Sequence, residues 1–179
     1  PLFFIFHLLG DWREKKAYHL LARLLRCESE EMDGLLGDCI TETTHRVMAA
    51  VFDGDPQPLY DVILDAKADE YIRSRMCEVL AMAVLRGELD RKEAARFLRD
   101  GFMNLEPQAE CYVWQGWQRA ISMLGLEELK GLVKKAFDRG FVDANWLVFN
   151  HFEEDLKRGI ENPGEPRWPD DKQYTLFGD

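Results

Sequence analysis

The chain has 179 residues, of which 46% are hydrophobic, so it is long enough to fold around a sizeable core. Its 33 acidic residues outnumber its 23 basic residues, which gives a net charge of −10 at pH 7. A surface this acidic repels phosphate backbones and argues against sequence-independent binding to nucleic acid.

The first predicted element is a helix formed by the apolar run LFFIFHLL, residues 2–9. The run is too short to cross a membrane, which takes about 20 residues, and it lacks the flanks of a signal peptide. A terminal repeat normally has a polar outer face, whereas this helix is apolar all round. We therefore expect Phe3, Phe4 and Phe6 to be covered by residues preceding Pro1 in a longer protein, or by a second copy in a homo-oligomer.

The next elements are separated by a short phrase that occurs twice. LLGD stands at residues 8–11 and again at 35–38, each time before a predicted helix. In the first of these helices apolar side chains recur at helical spacing from Ala17 to Leu25, and 27 positions later a similar stripe occurs. Glycine suits the left-handed end of a helix, so LLGD is predicted to be a joint between helices at Gly10 and Gly37.

The later elements repeat at about 40 residues. FLRDGF at 97–102 recurs as AFDRGF at 136–141, and the stripe of residues 72–83 recurs 41 positions on, at 113–124. Helix pairs of this length are typical of HEAT and armadillo repeats, which stack because one pair cannot bury its apolar stripe alone. We predict an all-α fold, a HEAT-like α-α superhelix forming a short right-handed solenoid, with residues 1–158 as its single domain. The stripes predict a core that includes Leu21, Leu24, Val47, Val51, Met76, Leu80, Leu98, Trp117, Ile121 and Phe137.

The last segment, residues 159–179, contains three prolines and many charges. We predict an extended Pro-rich tail, with Trp168 pinning it to the last helix.

Five stretches together resemble a known bacterial family: HLLGDWREKKAYHLLARLLR, LLGDCITE, VFDGDPQPLYDVI, ADEYIRSRMCEVLAMAV and AFDRGFVD. The chain resembles the family named domain of unknown function 1186 over most of residues 7–158. The resemblance implies an all-α HEAT-like superhelix and carries over no catalytic residue. It also implies a longer protein. Some longer relatives append a cysteine-rich metal-binding tail, which this sequence lacks.

The spacing of the cysteines indicates the cellular compartment in which the protein works. Cys27, Cys39, Cys77 and Cys111 form no C-x-x-C pair and no zinc-finger spacing with histidine. This usage favours free thiols in a reducing compartment, so we expect a cytoplasmic protein.

Two polar motifs suggest metal binding, and for each a structural role is the better interpretation. FDGD, residues 52–55, is not followed by the acidic or Asn ligand and the glycine that an EF-hand loop needs at its fifth and sixth positions, and it fits a turn between helices. Glu42 and His45 form one Glu-x-x-His pair, whereas di-iron bundles need two pairs and two further glutamates, so a solvated polar face is the better interpretation. No metal or cofactor is predicted.

An aromatic pair and a charged cluster complete the candidates. Trp114 and Trp117 could form an aromatic cage, but the periodicity favours packing roles for both. His151, Glu154 and Asp155 could lie together on one helix, where a local ion pair is the simpler interpretation.

These patterns favour a non-enzymatic module that binds a protein or peptide. The alternative is an enzyme, a lyase or hydrolase, that uses carboxylates such as Asp53, Asp55 and Asp61 in a groove, and fold alone does not decide between them. In HEAT-like stacks the second helices line the concave side, here at residues 69–86, 109–124 and 143–158. The small or polar side chains predicted to form a concave binding face there are Ser74, Cys77, Gln115, Gln118 and His151.

Overall fold

The computed structural model describes residues 2–164 and 174–179, and in these ranges it contains α-helices, turns and one isolated bridge between Glu28 and Ala68. This confirms the all-α class for the described residues. The α-helices are α1 (Leu2–Asp11), α2 (Tyr18–Leu24), α3 (Ser29–Leu36), α4 (Cys39–Glu42), α5 (Thr44–Val51), α6 (Gln57–Leu64), α7 (Glu70–Leu85), α8 (Arg91–Asn104), α9 (Val113–Met123), α10 (Lys130–Asp138) and α11 (Phe149–Glu161).

Five of the helices pack one after another in chain order. α1 contacts α5, α5 contacts α7, α7 contacts α9, and α9 contacts α11. Other helices lie beside this row: α6 packs on α7, and α8 packs on α9 and α10. Each helix of the row therefore buries its apolar side chains against the row helix before it, the one after it, or both.

Helix α7 lies at the centre of the row and is covered on all sides. Every residue from Ile72 to Ala83 is buried. The Asp69 side chain caps its first turn by accepting hydrogen bonds from the backbone N–H groups of Tyr71 and Ile72. A helix whose whole circumference is buried has no face left for solvent, including the positions that carry polar side chains.

Two glycines set the spacing between the central helices. A Cβ added to Gly116 of α9 would lie 2.2 Å from the backbone oxygen of Ser74 in α7. A Cβ added to Gly159 of α11 would lie 2.1 Å from the backbone oxygen of Ser122 in α9. Both contacts are closer than any side chain allows, so the two glycines permit the backbones to approach.

The two copies of LLGD differ in the structure. Gly37 follows α3 with φ +52°, the left-handed end that the sequence predicts. Gly10, by contrast, is buried within α1, which continues to Asp11. A Cβ at Gly10 would approach the Val47 side chain to 3.0 Å, so this glycine serves the packing of α1 on α5. The prediction that Gly10 ends a helix is wrong, because α1 continues to Asp11. Glycine is needed at this position for the close contact with Val47 and not for a reversal of the chain.

Most of the predicted core is confirmed. Leu24 and Phe137 are only partly buried, each at the margin of the core. The buried members are Leu21, Val47, Val51, Met76, Leu80, Leu98, Trp117 and Ile121. Trp114 and Trp117 are both fully packed, and their indole N–H groups donate to the backbone oxygens of Pro107 and Leu98. The packing roles of both tryptophans are thereby confirmed.

The last described residues lie against the opposite end of the chain. Arg46 of α5 donates to the backbone oxygens of Thr175 and Leu176 and to the Thr175 hydroxyl. The Phe177 ring contacts His7 of α1, and Arg13 pairs with Asp179. The predicted contact of Trp168 lies outside the described residues, and the domain limit at residue 158 stays a prediction.

No helix among the described residues is both long and apolar enough to cross a membrane.

Candidate functional site

Four of the five residues predicted to form a concave binding face lie in the interior. Ser74, Cys77 and Gln118 are buried, and Gln115 is 7% exposed. His151 is exposed. The close approach of α7 and α9 at Ser74 explains the difference, because it covers the flank of α7 that an isolated repeat would leave open. The structure therefore does not bring the five together as an open surface.

A buried ion cluster connects α7 and α9. The Glu78 carboxylate is fully buried, and it accepts from Arg75 at 2.7 Å and from Arg119 at 2.6 Å. Burial alone would raise the pKa of Glu78, but Arg119 and Arg75, with a contribution from His45, outweigh it and hold that pKa below its usual value. Sequence reasoning missed this cluster. The 41-residue repeat offset that relates Glu78 to Arg119 is the signal that could have found it.

A candidate site is a cleft of about 370 Å³ where α7 and α9 begin. We call it the amino-end cleft. It is assembled from three separate segments: the start of α7, the start of α9, and the loop that precedes α11. The residues that line it are Glu70, Tyr71, Glu110, Cys111, Tyr112, Gln115, Asp143 and Trp146.

Helix capping holds the inner wall of the amino-end cleft in place. The Glu70 carboxylate accepts the backbone N–H of Tyr112, the residue that precedes α9. Burial, together with Glu70 itself, raises the pKa of the Cys111 thiol to about 11. At neutral pH Cys111 is therefore a thiol and a poor nucleophile. Glu70 and Cys111 join the starts of the two helices and fix the geometry of the wall.

Aromatic rings form the outer part of the amino-end cleft. The rings of Tyr71 and Tyr112 lie 4.4 Å apart, tilted by 42°. Trp146 is 77% exposed, and its loop is held by Asp143, whose backbone oxygen and carboxylate accept from Trp146 and Asn145. Exposed aromatic side chains on a braced loop present apolar surface to a ligand at little entropic cost.

One polar group in the wall has no protein partner. Among the described residues the Gln115 side-chain amide makes no hydrogen bond, although the residue is more than nine-tenths buried and lines the amino-end cleft. The amide atoms of Gln115 are not among the fully buried polar atoms that lack a partner, so they face the solvent of the cleft and are available to a ligand. Gln115 is thus the one predicted binding residue that the structure places at an accessible cleft.

The carboxylates of the predicted enzyme groove serve their own loops. Asp53 accepts from the backbone of Asp55, and its other oxygen lies 3.0 Å from His19 Nε2. Asp55 accepts from the backbone of Gln57 at the start of α6, and Asp61 accepts from the Gln57 side chain. Gly54 has φ +103°, as the turn interpretation of FDGD requires. These contacts are those of a capped inter-helix turn.

The Glu42 and His45 pair does not share one helix. α4 ends at Glu42 and α5 begins at Thr44. Glu42 is exposed and His45 is buried, so the predicted solvated polar face is wrong for His45. In the part of the chain that the structure describes, no group of three or more His, Cys, Asp or Glu residues could hold a metal ion.

A second groove, of about 610 Å³, lies between α8 and α10 and has the opposite charge. Its lining is net basic, with Arg99, Lys135 and Arg139 against the single carboxylate of Asp100. The lining also includes Met103, which is 71% exposed. Arg139 lies over the ring of Phe102 at 5.3 Å. The molecule therefore separates basic residues on α8 and α10 from acidic ones at the amino-end cleft.

One comparison with known proteins gives a family, and none assigns an activity. The family described as "Protein of unknown function (DUF1186)" matches residues 2–178. An uncharacterized protein of Chlamydia muridarum is 24% identical over 147 residues, which are 82% of this chain and 59% of that protein. An uncharacterized protein of Chlamydia trachomatis is equally similar, with 58% of its length covered. The chain thus spans about six-tenths of the curated relatives it matches. No solved structure matches it.

Proposed function

Because the chain belongs to the DUF1186 family, to which no function is assigned, we propose a function from its geometry: a non-enzymatic module that holds a segment of a partner protein in the amino-end cleft. The observation that carries the proposal is the Gln115 side chain: the residue is 7% exposed and lines this cleft, and its amide makes no hydrogen bond to another described residue. A peptide backbone supplies both the donor and the acceptor that this amide needs.

The form of the amino-end cleft supports a peptide ligand. Its volume of about 370 Å³ lies within the range of small-ligand sites and accommodates a few side chains. Tyr71, Tyr112 and Trp146 add aromatic surface, and Tyr and Trp are the residue types that contribute most to protein contacts.

The scaffold that we propose is a HEAT-like right-handed superhelix. The chain-order packing of α5, α7, α9 and α11 and the 41-residue offset between α7 and α9 support it. In such a stack a cleft at the starts of neighbouring helices has walls fixed by helix packing, which suits recognition without large rearrangement. The four free cysteines further favour the cytoplasm as the place of action.

Selection from a random peptide library tests the proposal. Peptides displayed on phage are selected on the immobilised chain, and each enriched peptide is measured against Trp146→Ala. We expect loss of binding in this variant and unchanged binding in the control Leu20→Ala, whose side chain is 64% exposed on α2, outside the cleft lining. Enriched peptides that bind both variants equally would place docking elsewhere and reject the proposal.

A further inference from the structure

The lining of the amino-end cleft carries charge of one sign. Glu70, Glu110 and Asp143 contribute three carboxylates, and the lining includes no lysine or arginine. Glu70 is engaged in capping α9, whereas Glu110 is exposed at the rim and Asp143 keeps one oxygen free of the bonds to Asn145. The carboxylates give the cleft a negative electrostatic potential, which favours a positively charged ligand group over an uncharged or acidic one.

The rings in the same lining favour a cation for a separate reason. The face of an aromatic ring is negative and attracts ammonium and guanidinium groups, most strongly for tryptophan. Tyr71, Tyr112 and Trp146 line the same cleft as the carboxylates, and Trp146 is the most exposed of the three. Rings and carboxylates together form a lining that both solvates a cation and packs against the carbon chain that carries it.

The Gln115 amide favours a ligand side chain with several N–H donors over a simple ion. Gln115 is the more buried member of the lining and its amide oxygen is able to accept hydrogen bonds, whereas Glu110 and Asp143 are less buried. A guanidinium offers five N–H donors in a planar fork and stacks on aromatic faces, so it can use all three kinds of group. An ammonium can use the charge and the rings but spans less of the lining.

We infer that the amino-end cleft binds a cationic side chain of the partner segment, arginine in preference to lysine, an inference that rests on the proposed docking at this cleft. The carboxylates of Glu110 and Asp143 supply the charge, Trp146 with the two tyrosines supplies the faces, and Gln115 accepts an N–H at the inner end.

The test uses the full chain and two synthetic peptides that differ only in charge. The probe is acetyl-Arg-Arg-Arg-Arg-amide, and its control replaces each arginine with citrulline, which keeps the shape and removes the charge. Backbone amide and indole N–H signals are followed by ¹H–¹⁵N NMR during titration. We expect the arginine peptide to shift the signals of residues 110–115 and the Trp146 indole, and the citrulline peptide to leave them in place.

Variants separate the cleft from the overall charge of −10. Trp146→Ala is expected to weaken binding of the arginine peptide roughly two- to fivefold, as for an exposed cation–π contact. Glu110→Gln/Asp143→Asn is expected to weaken it roughly three- to tenfold. The matched control Glu127→Gln/Glu128→Gln removes the same charge at exposed positions outside the lining and should change binding less than about twofold.

Three outcomes would overturn the inference: equal binding of the citrulline peptide, equal weakening by the Glu127/Glu128 control, or shifts confined to other helices. Suppose that neutral or acidic library peptides bind the wild-type chain and fail to bind Trp146→Ala. That result would uphold docking at the amino-end cleft and reject the cationic ligand. The two proposals therefore fail in distinguishable ways.

Discussion

Single residues without side chains determine how closely the central helices pack. Gly116 and Gly159 occupy equivalent contacts, each beneath the backbone oxygen of a serine on the preceding helix of the row. Because the obstacle is backbone rather than a flexible side chain, an added methyl group can be accommodated only if the helices separate.

We therefore expect Gly116→Ala to destabilise the fold by about 1–3 kcal/mol or more through overpacking against Ser74. Gly131→Ala is the matched control, since Gly131 lies in α10 with nothing within 4 Å of an added Cβ, and it should stabilise by about 0.5–1 kcal/mol. Urea unfolding monitored by circular dichroism measures both. Equal midpoints for the two variants would show that the close approach does not limit packing.

The buried ion cluster gives a second prediction at this scale. Glu78→Gln leaves Arg75 and Arg119 without their buried counter-charge, and we expect a loss of about 3–5 kcal/mol at pH 7. The exposed Glu127→Gln should change stability by less than about 0.5 kcal/mol. Denaturant midpoints at pH 7 measure the difference, and a change as small as that of the control would contradict the buried role.

The same cluster determines the direction of a pH effect. The pKa of Glu78 is lower in the folded chain than its usual value, so the unfolded chain binds more protons at acid pH. The stability that Glu78 contributes is present above its unfolded pKa and is lost as the pH falls through the folded pKa. We expect the wild-type chain to lose stability below about pH 5 more steeply than Glu78→Gln. Parallel curves for the two proteins between pH 3 and 6 would rule this out.

At the scale of helices, the spacing of apolar residues predicts where the helices lie better than it predicts which of their faces are exposed. The three second helices predicted at residues 69–86, 109–124 and 143–158 correspond to α7, α9 and α11, with the last displaced toward the C-terminus. The spacing of apolar residues identifies one buried stripe, but it does not reveal that a second helix covers the remaining face. Polar residues such as Ser74 and Gln118 were therefore predicted to be exposed, and they are buried.

The amino-end cleft, too, could be predicted only in part from the spacing of residues in the sequence. Its lining comes from segments about 30 to 75 residues apart, and only tertiary packing brings them together. The 41-residue offset relates Tyr71 to Tyr112 and so contains part of the signal, whereas the loop of Asp143 and Trp146 lies outside any repeat stripe. Gln115 was identified as a binding residue, though on a different surface from the one it lines.

Helix α1 has an unpartnered outer face in the described residues. Phe4, Leu8 and Trp12 follow one another at four-residue spacing and are 68%, 44% and 69% exposed, whereas Phe6 is fully buried by the chain itself. The covering predicted for Phe6 is thus supplied within the chain. The covering predicted for Phe3, which is 40% exposed, and for Phe4 stays a prediction. We expect the 179-residue chain to self-associate through this strip, because contiguous exposed apolar side chains favour burial.

Sedimentation velocity over a concentration series measures this self-association. Phe4→Ser/Leu8→Ser should shift the chain toward monomer, while the control Met103→Ser, equally exposed on α8, should leave the distribution unchanged. A monomeric wild-type chain at the highest concentration would refute an α1 interface.

At the scale of the whole molecule, the described C-terminal residues join the two ends of the chain. Residues 174–179 contact α1 and α5, and Arg46 makes most of the polar contacts. Its guanidinium also lies 5.6 Å from the centroid of the Phe177 ring, and the backbone N–H of Phe177 donates to the Arg46 oxygen. One side chain therefore connects this segment to the row of helices through charge-assisted hydrogen bonds and ring contact together.

We expect Arg46→Ala to release residues 174–179 and to lower stability by about 1.5–3 kcal/mol, as for hydrogen bonds to a charged group. The matched control is Arg23→Ala, an exposed arginine of α2 for which less than about 0.5 kcal/mol is expected. Hydrogen exchange with mass spectrometry distinguishes local release from global unfolding. In Arg46→Ala, faster exchange should be confined to residues 174–179 and to the facing part of α1, with α7 and α9 still protected. Unchanged exchange at Phe177 would show that the segment is held by contacts other than those of Arg46.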